Sequence, residues 1–205
     1  MKKVKFLLAS LAIIAASSLN AQGFGVQAGY SNSTTFIGEG DTLSNLNGFH
    51  VGPIAELRIQ GPFSLRYGLF YNYQTGTKTF NLIKTKMTTT FHSVDIPVHL
   101  AFTIPTGSPV GVFVFGGPSF NVGISKKTTI KVDSKSLEPI DYYKTDDNGD
   151  SRQSRFDIQM GVGAGIKLQN LQFRLSYDWG LLDTNNSDNY SLTRDELKAS
   201  VAFVL

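Results

Sequence analysis

Between Arg155 and Leu181 the chain alternates almost without interruption. Phe156, Ile158, Met160, Val162, Ala164, Ile166 and Leu168 share one parity, and Asp157, Gln159, Gly161, Gly163, Gly165 and Lys167 share the other. After Gln169 and Asn170 the pattern resumes, with Leu171, Phe173, Leu175, Tyr177 and Trp179 opposing Gln172, Arg174, Ser176, Asp178 and Gly180. A period of two is that of a strand, whose successive side chains point to opposite faces. Two such strands joined by two residues form a hairpin. One face is apolar and bulky; the other carries glycine, amides and charges of both signs. A strand that separates lipid from a polar barrel interior is sorted in this way.

The same parity predicts six more strands, at residues 24–31, 49–59, 63–73, 93–102, 110–122 and 197–205. The connections at 60–62, 105–109 and 169–170 are short. Those at 32–47, 74–90, 126–152 and 182–194 are long and polar. Short turns on one side and long loops on the other fit an outer-membrane barrel with the short set periplasmic. The expected fold is therefore all-β: an eight-stranded antiparallel up-and-down transmembrane β-barrel with both termini in the periplasm.

A soluble lipocalin-like ligand-binding barrel is the rival architecture, with the bulky face turned inward. An eight-stranded interior is only just wide enough to be filled by side chains, and the Phe, Tyr, Leu and Ile of the apolar parity exceed it. A water-facing surface would also call for about 25–35% charged residues, against 17% in the whole chain.

The first residues read as an export signal: a basic Met1-Lys2-Lys3-Val4-Lys5, an apolar run from Phe6 to Ala16, and a cleavage site at Leu19-Asn20-Ala21. The expected division is a cleaved signal at 1–21 and one barrel domain at 22–205. Of 19 basic residues, Lys2, Lys3 and Lys5 leave with the signal, so 16 basic face 16 acidic residues. A neutral mature chain carries no nucleic-acid footprint. With no cysteine there is neither a disulfide framework nor a thiolate metal site.

If the polar parity lines the lumen, Glu56, Arg58, Arg66, Asp95, Arg155, Asp157, Lys167, Arg174, Asp178 and Lys198 point into it. Buried charges persist when paired, so interlocked salt bridges plugging the interior are expected, in preference to a charged channel. At the C-terminus, Phe203 and Leu205 resemble the terminal signal read by barrel-assembly machinery.

Three short runs carry a family resemblance: Asp95-Ile96-Pro97-Val98, Phe115-Gly116-Gly117-Pro118 and Gly161-Val162-Gly163-Ala164-Gly165. Together with Asn20-Ala21-Gln22 they resemble the PorT-like outer-membrane β-barrel family. The resemblance spans roughly residues 22–205 and implies an OmpX/OmpA-like barrel in a Gram-negative outer membrane, without implying one activity. One branch of that family takes part in protein secretion.

Catalytic candidates are weak. Asp95 and His99 share a face but lie about 13 Å apart along a strand. His92 and Ser93 are adjacent and so point to opposite faces, a poor nucleophile–base pair. His50 reads as a lumen histidine. Asp146-Asp147-Asn148-Gly149-Asp150 offers oxygen ligands without calcium-loop phasing and reads as an Asn-Gly turn. Tyr67, Tyr71, Tyr73, Tyr177 and Trp179 suit interfacial girdles, and Asp41-Thr42-Leu43 resembles a bacterial O-glycosylation acceptor.

No enzyme, metal site or cofactor is expected. The expected partners are outer-membrane lipid, the assembly machinery, and an extracellular ligand taken by the long loops. The expected role is structural or surface interaction. Its alternatives are a small-solute or secretion-linked transporter and an outer-membrane lipid hydrolase.

Overall fold

The computed structural model describes residues 23–38, 41–80, 85–104, 110–132, 135–145, 151–186 and 190–205. The expected export segment, the expected short connection at 105–109 and the Asp146–Asp150 stretch lie outside the described residues. The strands are β1 (Gly23–Ile37), β2 (Asp41–Gln60), β3 (Phe63–Gly68), β4 (Phe70–Phe80), β5 (Thr85–Ile104), β6 (Val110–Val132), β7 (Lys135–Ser136), β8 (Ile140–Asp141), β9 (Phe156–Leu168), β10 (Leu171–Gly180) and β11 (Leu192–Val204).

β3 and β4 are halves of one stave, interrupted at Leu69, whose N–H donates to the Pro53 carbonyl at 3.1 Å. Inward and outward positions keep their parity across that break. Eight staves result, each antiparallel to the next. β11 pairs with β1 from Gly25–Val204 to Ile37–Leu192, which closes the ring. Lipid cannot satisfy an open strand edge, so closure is the condition for crossing it.

The molecule is apolar outside and polar inside. Val26, Leu175 and Phe203 are each at least half exposed, whereas Gln159, Asp95 and Glu196 are at most 1% exposed. Outward aromatics mark the two edges of the apolar band. Tyr71 and Tyr73 meet His92, and Tyr177 meets Trp179, near one edge; Phe63 packs on Phe102 near the other.

The expected long loops at 32–47 and 74–90 are instead mostly strand. β1 and β2 pair as far as Ile37–Asp41, and β4 and β5 as far as Phe80–Thr85. Beyond the lipid both faces of a hairpin meet water, so the hydrophobic alternation stops while the ladder continues. Asn32, Asn45 and Asn47 bond side chain to side chain on this extension. β6 likewise runs to Val132, and β11 begins at Leu192 rather than Leu197.

The interior is also less uniformly polar than its parity suggests. Ile54, Phe70, Ala202 and Val204 pack together toward the periplasmic end, with Phe113, Phe115 and Ala101 as a second group. Leu46, Phe91 and Tyr143 form a third at the extracellular end. The glycines of β9 make room for this filling. A Cβ on Gly165 would lie 2.3 Å from Cζ of Phe113, and one on Gly161 would lie 1.9 Å from Oδ1 of Asp178.

An arginine in place of Leu175, midway along β10 on the outer face, tests the lipid assignment. Leu175→Arg should lower the folding free energy in vesicles by about 2–4 kcal/mol, read by urea titration. An unchanged midpoint would mean that this face does not meet hydrocarbon.

Candidate functional site: the lumen and its mouth

The lumen is a stack of charged and aromatic layers. Toward the periplasmic side Arg66 pairs with Glu56 at 3.3 Å, and its guanidinium lies 3.8 Å from the Phe113 ring centre. Arg174 donates to Oε1 of Gln27 at 2.6 Å and covers the Phe115 ring at 4.4 Å. In each, the cation rests over a ring while one terminal N–H finds oxygen; Nε and Nη1 of Arg66 and Nε of Arg174 have no hydrogen-bond partner among the described residues.

Above this layer Lys198 sits among three carboxylates, 2.9 Å from Asp95, 2.9 Å from Asp178 and 3.3 Å from Glu196. Arg194 bridges Asp157 at 3.3 Å and Glu196 at 3.6 Å. Amides complete the shell. Gln74 donates to Glu196 at 2.6 Å, Asn121 donates to Asp95, and Gln159 donates to the Arg194 carbonyl at 2.8 Å. The side chains of the five acids and three cations in these ion pairs are at most 14% exposed. A buried charge is tolerable only when so surrounded.

Of the ten charges expected in the lumen, Asp95, Asp178 and Lys198 meet in one cluster, Glu56 and Arg66 in another, and Arg174 lies beside the second. Asp157 pairs with Arg194, the last residue of the expected 182–194 loop, and Glu196 lies just ahead of the expected strand at 197–205. Their shared parity with Lys198 and Ser200 was the available signal. Lys167 is half-buried.

Arg58 and Arg155 are exposed, contrary to expectation. Arg58 sits at the periplasmic end of β2, where an inward position opens on water. Arg155 precedes β9 at the mouth. There it donates to the Gly123 and Ile124 carbonyls at 3.2 and 2.8 Å and covers the Tyr143 ring at 4.5 Å.

The lumen also holds two serine–histidine pairs. His50 Nε2 lies 2.9 Å from Ser200 Oγ, and His99 Nε2 lies 3.3 Å from Ser119 Oγ. Both border one cavity of about 30 Å³, room for a water or two and none for an acyl or ester substrate. His92 lies on the outer face, where its Nδ1 meets the Tyr71 hydroxyl at 2.6 Å, while Ser93 is fully buried inside. Among the described residues no group of three or more metal-ligating side chains converges.

The mouth is built differently. An extra residue in β6 shifts the β5 register between His92–Ser125 and Ser93–Gly123, and a bulge reverses which side chains face inward. Lys126 is thereby turned over the rings of Phe91 and Tyr142, at 5.8 and 5.5 Å. Burial, reinforced by Arg194 and only partly offset by Asp157, pulls its pKa from 10.5 down to about 8. Burial likewise pushes the neighbouring Tyr143 phenol up to about 12.

Residues 15–186 match the outer membrane protein beta-barrel domain family. The chain belongs to that family. Its members are outer-membrane proteins, and the inside-out barrel agrees with that location. No curated protein matches the sequence.

Among solved structures, Ail, the attachment invasion locus protein of Yersinia pestis, is 13% identical with a TM-score of 0.48, covering 89% of this chain and 98% of its own. Neisserial surface protein A is 17% identical with a TM-score of 0.47, covering 88% and 96%. The outer membrane enzyme PagL is 10% identical with a TM-score of 0.44, covering 85% and 98%.

Lys198→Met would leave Asp95, Asp178 and Glu196 without their shared cation. Breaking a buried pair in this way costs about 3–5 kcal/mol, to be read as a lowered unfolding midpoint in detergent. Glu56→Gln and Arg66→Gln should each destabilise. Their double variant should recover part of the loss, so the cycle yields a coupling energy; strictly additive losses would contradict the pairing.

Proposed function

We propose that this protein is a non-conducting, non-enzymatic barrel that anchors and displays extracellular hairpins, with a structural or surface-interaction role. The observation that carries this reading is the filled lumen joined to strands that outrun the apolar band. The cavities beside the ion pairs measure only about 30 and 10 Å³, too little for a solute path. The β1–β2 and β4–β5 hairpins and residues 135–145 lie where binding is performed by loops on a rigid scaffold.

A transport barrel would need the Lys198 and Arg66 clusters to part. A lipid hydrolase would need its serine–histidine pairs on the surface rather than in the lumen. Outer-membrane lipid is the outward partner. Residues 1–21 serve export to a Gram-negative envelope, and Phe203 and Leu205, both outward-facing, serve as the strand signal for the assembly machinery.

The finer placement, in the PorT-like branch, draws support from how its three runs meet. Gly117 faces Gly161 in the β6–β9 register. Asp95 holds Lys198, and Gly161 leaves the space that Asp178 occupies.

The test compares cells displaying the whole chain with cells in which residues 133–154 are replaced by a Gly-Ser linker of about twelve residues, long enough to return from the end of β6 to Arg155. Both should give heat-modifiable migration on gels. Adhesion and autoaggregation should fall only in the shortened form, and vesicles carrying either protein should swell in sugar solutions no faster than empty ones. Rapid swelling would support transport instead, and unaltered adhesion would remove the surface role.

A further inference from the structure

The mouth of the barrel holds a cavity of about 110 Å³, room for about three or four waters or one small polyatomic group. Lys126 and Lys78 line it together with Thr77, Thr89, Thr128 and Tyr142, and no acidic residue does among the described residues. Among the described residues no carboxylate lies within 4 Å of the Lys126 ammonium, whose neighbours are the faces of Phe91 and Tyr142. Deeper in the lumen Arg66, Arg194 and Lys198 each have such a carboxylate, and Arg174 has the Gln27 amide oxygen in its place. Among the described residues Lys126 is thus a half-buried charge with no carboxylate in contact and only Asp157 at longer range, and such a charge is costly to hold.

The hydroxyls around it are ordered. Thr89 and Thr128 hydrogen-bond at 2.8 Å, and Thr128 donates to the Tyr142 hydroxyl at 3.4 Å. That arrangement leaves the Tyr142 proton free to donate into the cavity. An ammonium and a phenolic O–H border this space; its other polar walls, Ser44, Asn45 and Gln153, are neutral, and Lys78 is held at the rim by the Leu43 carbonyl.

From this we infer that the mouth cavity binds a single oxyanion group, a carboxylate, sulfate or phosphate, presented from the extracellular side. Lys126 supplies the charge, Tyr142 a directed hydrogen bond, and Lys78 a second cation at the rim. The inference deepens the surface-interaction reading and rests on it only for the side from which the ligand arrives.

Isothermal titration of the detergent-folded protein with sodium sulfate, sodium phosphate and sodium acetate tests it. At least one should bind saturably at one site per chain. Lys126→Met should weaken that binding tenfold or more, and Tyr142→Phe by a smaller factor. Lys126→Met removes an uncompensated charge, so the variant keeps its fold and its heat-modifiable migration. Lys131→Met, on the outer edge of β6 and absent from the cavity wall, should bind as the parent does.

Absence of saturable binding by all three anions overturns the inference, as does an equal loss in Lys131→Met, which would indicate diffuse charge attraction. If anions fail to bind while adhesion still depends on residues 133–154, the mouth site falls and the display role stands. If anions bind and adhesion is indifferent to those residues, the reverse holds.

Discussion

The constraint on which the rest depends is that hydrocarbon offers no hydrogen bonds. Every backbone N–H and C=O in the spanning part must be satisfied inside the wall. The pairing of β11 with β1 does this for the last two edges. A closed wall then fixes which side chains meet what. Outward positions must be apolar, so inward positions must hold the polar residues the chain contains, and with eight staves the interior is narrow. Charges placed there have no water to lean on. They must satisfy one another, which is why Lys198 sits among three carboxylates and why Arg66 and Arg174 lie flat on phenylalanine rings.

The lumen's composition follows from the same narrowness. Phe113 and Phe115 from β6 and Asp178 from β10 lean over the strand between them, β9, whose Gly165, Gly163 and Gly161 stand directly beside them in the ladder. Apolar layers at both ends separate the central ion pairs from water, which strengthens them and raises the penalty for opening them. Interior stability and closure to solutes are thus one property. What remains free to act is the rim, where Arg155 braces the β6 bulge and Lys126 touches no carboxylate among the described residues.

The strand pattern was legible wherever one face meets lipid, because there the period of two is written in Phe, Leu and Val against Gly, Gln and Asp. Above the lipid it was not. Asn32, Asn45, Thr77 and Thr88 lie on paired strands, but with water on both sides no residue type marks a face. Arg194 and Glu196 were lost for that reason, since their outward neighbours Thr193 and Asp195 are polar too. Parity also reports a face and not a height, so Arg58 and Arg155, at strand ends, were assigned to an interior they do not reach. Lys126 was hidden by the bulge, whose single extra residue has no sequence mark of its own. The fold was therefore open to reading, and so was most of the central charge cluster; the mouth was not.

The central claim is that the ion pairs and aromatic layers shut the lumen. Planar-bilayer recording of the purified, heat-modifiable protein tests it most directly. The closed lumen predicts a bilayer as silent as one without protein across the voltages it tolerates, with steps emerging only when Lys198 or Arg66 is replaced by a small residue. Steady, uniform single-channel currents from the unaltered protein would contradict it.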